Sequence, residues 1–381
     1  MKLNGRRAEA GYSLVELLVG TGVMTIVLAA TLAGLGDAIK ANDAVLQTTG
    51  MNNSVRIAMD LVVRDLLQVG SGLPASHAIA IPSGSGSGRV KLPGPRDTTY
   101  TTLATDEDLV AVIPGPGRGP TINGVATDMI TILTSDNAFN NEDIDAYTNT
   151  SVTVGANTPK SCTVSVDCQT LNISSGEDRI LAGQLMLIEK KSYSTLVQVT
   201  GVAYSTRVVS FGADSLNLNQ TCSGCSGTLA ALNGEEPAVP SVTAAVAAKH
   251  MHMTRVRMIS YYLDTTVLNR PRLIRRINNG NADTFDNKLG TAVAMDIENL
   301  QFTYDLVDGD TNPSHLRFVA ADYLAGHDPR TIRKVNVSMT GRSRNAALKG
   351  PLSYRVVLST QVSLRGMAFV DQYMEPPTPP E

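Results

Sequence analysis

Gly11-Tyr12-Ser13-Leu14-Val15-Glu16-Leu17-Leu18-Val19 puts a single carboxylate at the mouth of a long apolar run. An acid at mid-bilayer costs about 2.5–3.5 kcal/mol on insertion scales, so Glu16 calls for a positive partner wherever that run is buried. Ahead of it stand Lys2, Arg6 and Arg7 against Glu9, followed by the small-residue junction Ala10-Gly11. Cleavage at that junction would remove the basic leader and keep the apolar helix. In low dielectric an unpaired charge is heavily penalised, so Glu16 needs an opposite charge beside it. This is the chemistry of processing, insertion and assembly rather than of turnover.

The other chemistry-bearing residues point less sharply. Cys162, Cys168, Cys222 and Cys225 all follow the apolar run, in the part that such an anchor would export. An even cysteine count in an oxidising compartment makes disulfides the expectation, with Cys162–Cys168 and Cys222–Cys225 the most economical connectivity. Zinc would need both pairs adjacent in the fold, and a redox pair would need a βαβ setting that the sequence lacks. Asp308, Asp310 and Asn312 alternate oxygen ligands around Gly309, like half of a calcium loop. The downstream bidentate acid is missing, so they read as an Asx-rich turn. His250, Met251, His252 and Met253 alternate imidazole and thioether donors of a copper type, but in a strand they read as structural. No nucleophile constellation, phosphate loop or His-Glu-x-x-His pattern occurs, so neither catalysis nor a cofactor is expected.

The elements that must position these residues begin with one long helix. Residues 14–36 are apolar apart from Glu16 and small residues, and span about 35 Å, enough to cross a bilayer. Basic residues before the run and few after it place the N-terminus in the cytoplasm and the rest outside. A secretory signal would have a shorter apolar core followed by its cleavage site; a plain membrane anchor is the simpler alternative. Beyond Gly36 the pattern turns amphipathic. Met51, Val55, Ala58, Met59, Val62, Leu66 and Val69 recur at three- and four-residue steps, with Arg56, Asp60 and Arg64 on another face. Gly70-Ser71-Gly72-Leu73-Pro74 is a stop signal, which makes the helix about 87 Å long if continuous from Tyr12 to Val69. Gly20, Gly22, Gly34, Gly36 and Gly50 suit either close helix packing or local unwinding in an assembly.

After Pro74 come short β-branched segments separated by Gly, Pro, Asn and Asp clusters. Strands are expected at 109–113, 128–133, 184–189, 195–202, 207–211, 255–263, 273–277, 300–304, 333–339 and 354–364. Loops are expected at 83–88, 114–120 and 137–150. The layout is α+β: a leader at 1–11, a transmembrane or filament-core helix at 12–36 and an amphipathic half at 37–70. A mostly antiparallel head of one or two subdomains occupies 75–374, and a disordered Pro-rich tail 375–381. The formal charge is −3, and about −5 without the leader, which argues against nucleic acid as a partner. The clusters Arg272, Arg275, Arg276 and Arg330, Arg333, Lys334 read as solvated sheet faces.

Residues 11–19 resemble the class III signal of type IV pilins and of type II secretion pseudopilins. The resemblance implies that a prepilin peptidase cuts after Gly11 and N-methylates Tyr12, where the family usually has Phe, and that Glu16 is the family's assembly glutamate. That cut leaves an ammonium on Tyr12, about one helical turn from Glu16, and stacked subunits displaced along a filament axis could pair Glu16 of one with the Tyr12 amine of its neighbour. Residues 56–66, 295–304, 335–339 with 341–344, and 354–365 resemble minor pilins of the PilW type, whereas 75–290 matches no motif of that group. A major pilin is normally about half this length. The resemblance implies a minor pilin built into a type IV pilus, acting in assembly priming or in a tip complex. Its implied partners are the prepilin peptidase, other minor and major pilins through the N-terminal helix, and the inner-membrane assembly platform. Its implied location is a single pass of the inner membrane with a periplasmic head, then the pilus or cell surface. Alternatives are a minor J-type pseudopilin of type II secretion, or a tip adhesin or DNA-uptake subunit whose ligand surface lies in 75–290.

Overall fold

The computed structural model describes residues 13–73, 79–82, 88, 90–94, 108–136, 144–147, 162–165, 180–190, 193–203, 208–220, 250–267, 270–278, 290–307, 309, 311, 329–343 and 354–366. Helix α1, Leu14–Leu67, runs for 54 residues without a break, which is about 81 Å. Its five glycines stay helical, and nothing lies within 4 Å of the place where a Cβ on any of them would sit. Three polar side chains in the apolar half satisfy themselves locally. The hydroxyls of Thr21, Thr25 and Thr31 donate to the carbonyls of Leu18, Thr21 and Leu28 at 3.0, 2.8 and 2.8 Å, so they present no unpaired donor to apolar surroundings.

The helix ends where the glycine cluster predicts. Gly70 and Gly72 take φ of 74° and 69°, a region that glycine enters without steric cost. The chain is then pinned to the head by Gly70 N–H donating to the Leu133 carbonyl (3.1 Å) and Ser135 N–H donating to the Ser71 carbonyl (3.0 Å).

The head is built of strands. In chain order they are β1 Ile79–Ala80, β2 Asp108–Leu109, β3 Val112–Gly115, β4 Thr121–Ile122, β5 Val125–Ala126, β6 Met129–Ser135, β7 Ile144–Tyr147, β8 Cys162–Ser165 and β9 Leu185–Lys190. There follow β10 Tyr193–Gln198, β11 Gly201–Ala203, β12 Val208–Phe211, β13 His250–Asp264, β14 Arg272–Ile277, β15 Thr291–Met295, β16 Ile297–Leu306, β17 Ile332–Arg342 and β18 Arg355–Ser363. Every strand pairing is antiparallel except β1 with β10.

The long strand β13 is the spine of the main sheet. It pairs with β14 and β6 over its C-terminal half and with β9 and β7 over its N-terminal half. A separate sheet has the order β16-β17-β18, and a third β11-β12-β8.

Two apolar cores lie on opposite faces of the main sheet. Period-two alternation sends Ile130, Ile132, Ile259, Tyr261 and Leu273 to one face, where they meet α1 and the sheet β16–β18. It sends Met129, Leu133, Val256, Met258 and Tyr262 to the other, against Leu185, Leu187, Leu196, Leu216 and Leu218. Strand β6 is therefore buried along its whole length, including Thr131, whose hydroxyl shares a hydrogen bond with that of Ser260 at 2.6 Å. The amphipathic half of α1 is held between β15, β17 and β18. It lies close against β17 at Gly341, where a Cβ would stand 2.5 Å from Val55 Cγ2 and 3.1 Å from Met51 Cγ.

Each of the ten expected strand positions carries a strand, with shifted ends. Two expectations need correction. The polar stretch 137–150 contains β7, whose residues pair with His250–Met253 because β13 extends further toward its N-terminus than expected. The Gly/Pro loop 114–120 begins inside β3, because Pro114 and Gly115 still pair with Ile130 and Met129. The leader, Pro-rich tail and loop 83–87 lie outside the described residues.

Candidate functional site

The helix divides where the head takes hold of it. Residues 14–50 are exposed, with only Gly36, Ala44, Gln47 and Thr48 half-covered, and burial begins at Met51. The exposed half is apolar: Leu14, Leu18, Met24, Ile26 and Leu28 are all open. Burying even one such side chain is worth about 1.5–3 kcal/mol, so this surface belongs in lipid or against other helices. Among the described residues α1 is the one helix long and apolar enough to cross a membrane by length and composition. Glu16 is exposed in its first turn, where the partial positive charge of the free helical N–H groups favours a carboxylate. No charged residue follows until Asp37, which pairs with Lys40 at 3.2 Å. Of the expected processing residues Gly11 and Tyr12 and the expected assembly residue Glu16, only Glu16 is among the described residues.

At the other end of the helix a buried charge cluster locks stem to head. Asp65 is 5% exposed. It accepts from Tyr261 Oη at 2.5 Å and from Arg275 Nε at 2.6 Å, and Arg275 Nε also reaches Tyr261 Oη at 3.2 Å. Tyr261 and Arg275 are register partners on β13 and β14, so their side chains leave the sheet on one face, the face that packs on α1. Burial, reinforced by the Asp65 charge, pushes the Tyr261 phenol far above its ordinary range. Burial alone would lower the Arg275 guanidinium, but the hydrogen bonds and charges of Asp65 and Tyr261 together outweigh it and hold the group higher. Both donors therefore stay protonated. The cluster has the composition of a structural clamp.

Asp65 was not picked out from the sequence, although its place on the apolar stripe between Val62 and Leu66 is the signal that marks it. The arginine cluster 272, 275, 276 is not the solvated face expected from alternation. Arg272 pairs with Asp264, Arg275 with Asp65, and the buried Arg276 donates to the Gly94 carbonyl. The reason is that both faces of the main sheet are covered, which leaves β14 no wet side.

A second carboxylate clasps the C-terminal sheet. Asp128 accepts from Gly117 N–H at 2.7 Å and Phe302 N–H at 2.9 Å, and its own N–H donates to the Leu300 carbonyl at 2.9 Å. Burial raises its pKa, against the lowering effect of the two amides. Glu298 is held similarly, by Arg355 and by Asn123 Nδ2.

The remaining candidates are placed only in part. Cys162 opens β8 opposite Phe211, while Cys168, Cys222 and Cys225 lie outside the described residues. So do Asp308, Asp310 and Asn312; their neighbour Gly309 takes φ 93°, and Thr311 bridges back to Asp305. The backbone of His250–Met253 is part of β13. Among the described residues no group of three or more His, Cys, Asp or Glu is placed to hold a metal ion. Compared with protein-family models, curated proteins and solved structures, the chain matches none.

Proposed function

We propose that the chain is a minor pilin, cut between Gly11 and Tyr12 and carried into a type IV pilus by its exposed apolar helix. The observation that supports this most directly is the division of α1. One continuous helix has a head-gripped half from Met51 onward and a projecting apolar half with a lone acid in its first turn. An isolated enzyme or binding module gains nothing from presenting that half as a straight apolar rod. A subunit that stands in a bilayer and then packs against sibling helices needs it, and Glu16 supplies the charge that sets its register against the processed Tyr12 amine.

The clamp Asp65–Tyr261–Arg275 fits the same role, because an assembling stem must carry its head in a fixed orientation. Deletion of the gene, followed by counts of surface pili and assay of secreted protein, tests the reading. Loss or shortening of pili with normal secretion supports it, and loss of secretion with intact pili overturns it in favour of a secretion pseudopilin.

A further inference from the structure

The C-terminal sheet ends in an edge strand built to accept another strand. β18 pairs with β17 over all nine of its residues with no shift of register. It contains no Pro and no Lys, and its one charged residue, Arg355, is taken by Glu298. Natural sheets blunt exposed edges with short strands, bulges, lysine, proline or a covering segment. The other edges of this head have such guards. β2 is two residues long, the β14–β15 pairing is bulged at Leu273/Ile274, and the free side of β16 is occupied by Asp128. Among the described residues β18 is a long edge strand with none of these guards.

Its side chains define what fits. Arg355, Val357, Ser359, Gln361 and Ser363 are exposed, with Val357 at 64%. The opposite row, Val356, Leu358 and Thr360, faces α1 but is only half-buried. That row is an incomplete apolar layer, and a strand laid beside β18 with apolar residues at every second position would continue it over the helix. The outer row has one cation, Arg355, and that is paired with Glu298, so the row carries no net charge to attract a polyanion. A second copy of β18 brings Thr360 into the apolar row and completes it less well than an all-apolar row would.

We infer that β18 is a β-augmentation site for a neutral, extended segment of a different polypeptide, apolar at alternate residues. The site belongs equally to a pilus or a secretion subunit, so its test is separate from that of the function. The probe is a short synthetic peptide alternating Val with Ser and Thr, together with its scramble, added to the full chain in detergent micelles. Amide exchange in the free chain should divide β18 into alternating slow and fast sets, the fast set pointing away from β17. Saturating peptide should slow the fast set about tenfold or more, leave β13 unchanged, and be without effect when scrambled. Proline placed at whichever of Ser359 or Thr360 exchanges fast should weaken peptide binding about tenfold while preserving head stability. A fast set that the peptide does not slow overturns the inference. So does a free chain in which both sets are already slow, since that marks self-pairing or an existing cover.

Discussion

Two carboxylates on one helix have opposite assignments. Glu16 stands exposed at the projecting end, and Asp65 is buried at the gripped end between Tyr261 and Arg275. Replacing Glu16 by Ala should leave the head's denaturation unchanged and cut incorporation into filaments roughly tenfold or more, because the partner ammonium is left unpaired. Quantitative blotting of sheared pili measures it; wild-type incorporation would remove the assembly role. Replacing Asp65 by Ala should do the reverse and destabilise the head by about 3–5 kcal/mol, since it strands a buried guanidinium. Urea denaturation of the single variants, and of the double variant with Arg275→Met, should show coupling between the two sites rather than additivity.

Asp128 yields a dependence on pH. Its raised pKa means that the fold favours the protonated acid. The stability from that preference is complete below the ordinary aspartate value of 3.8 and is lost as pH rises through the higher folded value. Wild type should therefore lose stability relative to Asp128→Asn as pH rises above about 4, with no further divergence once the folded-state acid is ionised. Parallel urea curves across that range check the sign, and a constant difference contradicts it.

At the scale of elements, the long helix and the strands were readable from period alone, and their partners were not. The stripe from Met51 to Val69 predicted which face of α1 is buried, and burial falls on all of those positions. The spacing could not show that β14 is covered on both faces, which is why Arg275 and Arg276 were read as solvent-facing. That depends on where β16–β18 fold back, a contact between residues far apart in sequence. Strand β7 was missed for the same reason, since its polar residues are drawn into the sheet by the extension of β13. Gly341 is another position whose role is visible only in three dimensions. Gly341→Ala should cost about 1–3 kcal/mol through overpacking against Val55. Val55→Ala added to it should recover part of that loss, as read by thermal denaturation.

For the whole molecule, the account is of a rod with a head clamped to its distal half. The apolar run was legible in the sequence because its length and composition are local properties, and the proposed cut at Gly11 rests on the same kind of local signal. The head's packing was not legible, because its middle carries no motif and its cores depend on tertiary pairing. Mass spectrometry of the N-terminus tests the central claim most directly, on protein recovered from cells that contain a prepilin peptidase. The account predicts a chain that begins at Tyr12 with one added methyl group, and Gly11→Arg should block that cut. A chain retaining residues 1–11, or one cut after the apolar run, would contradict it.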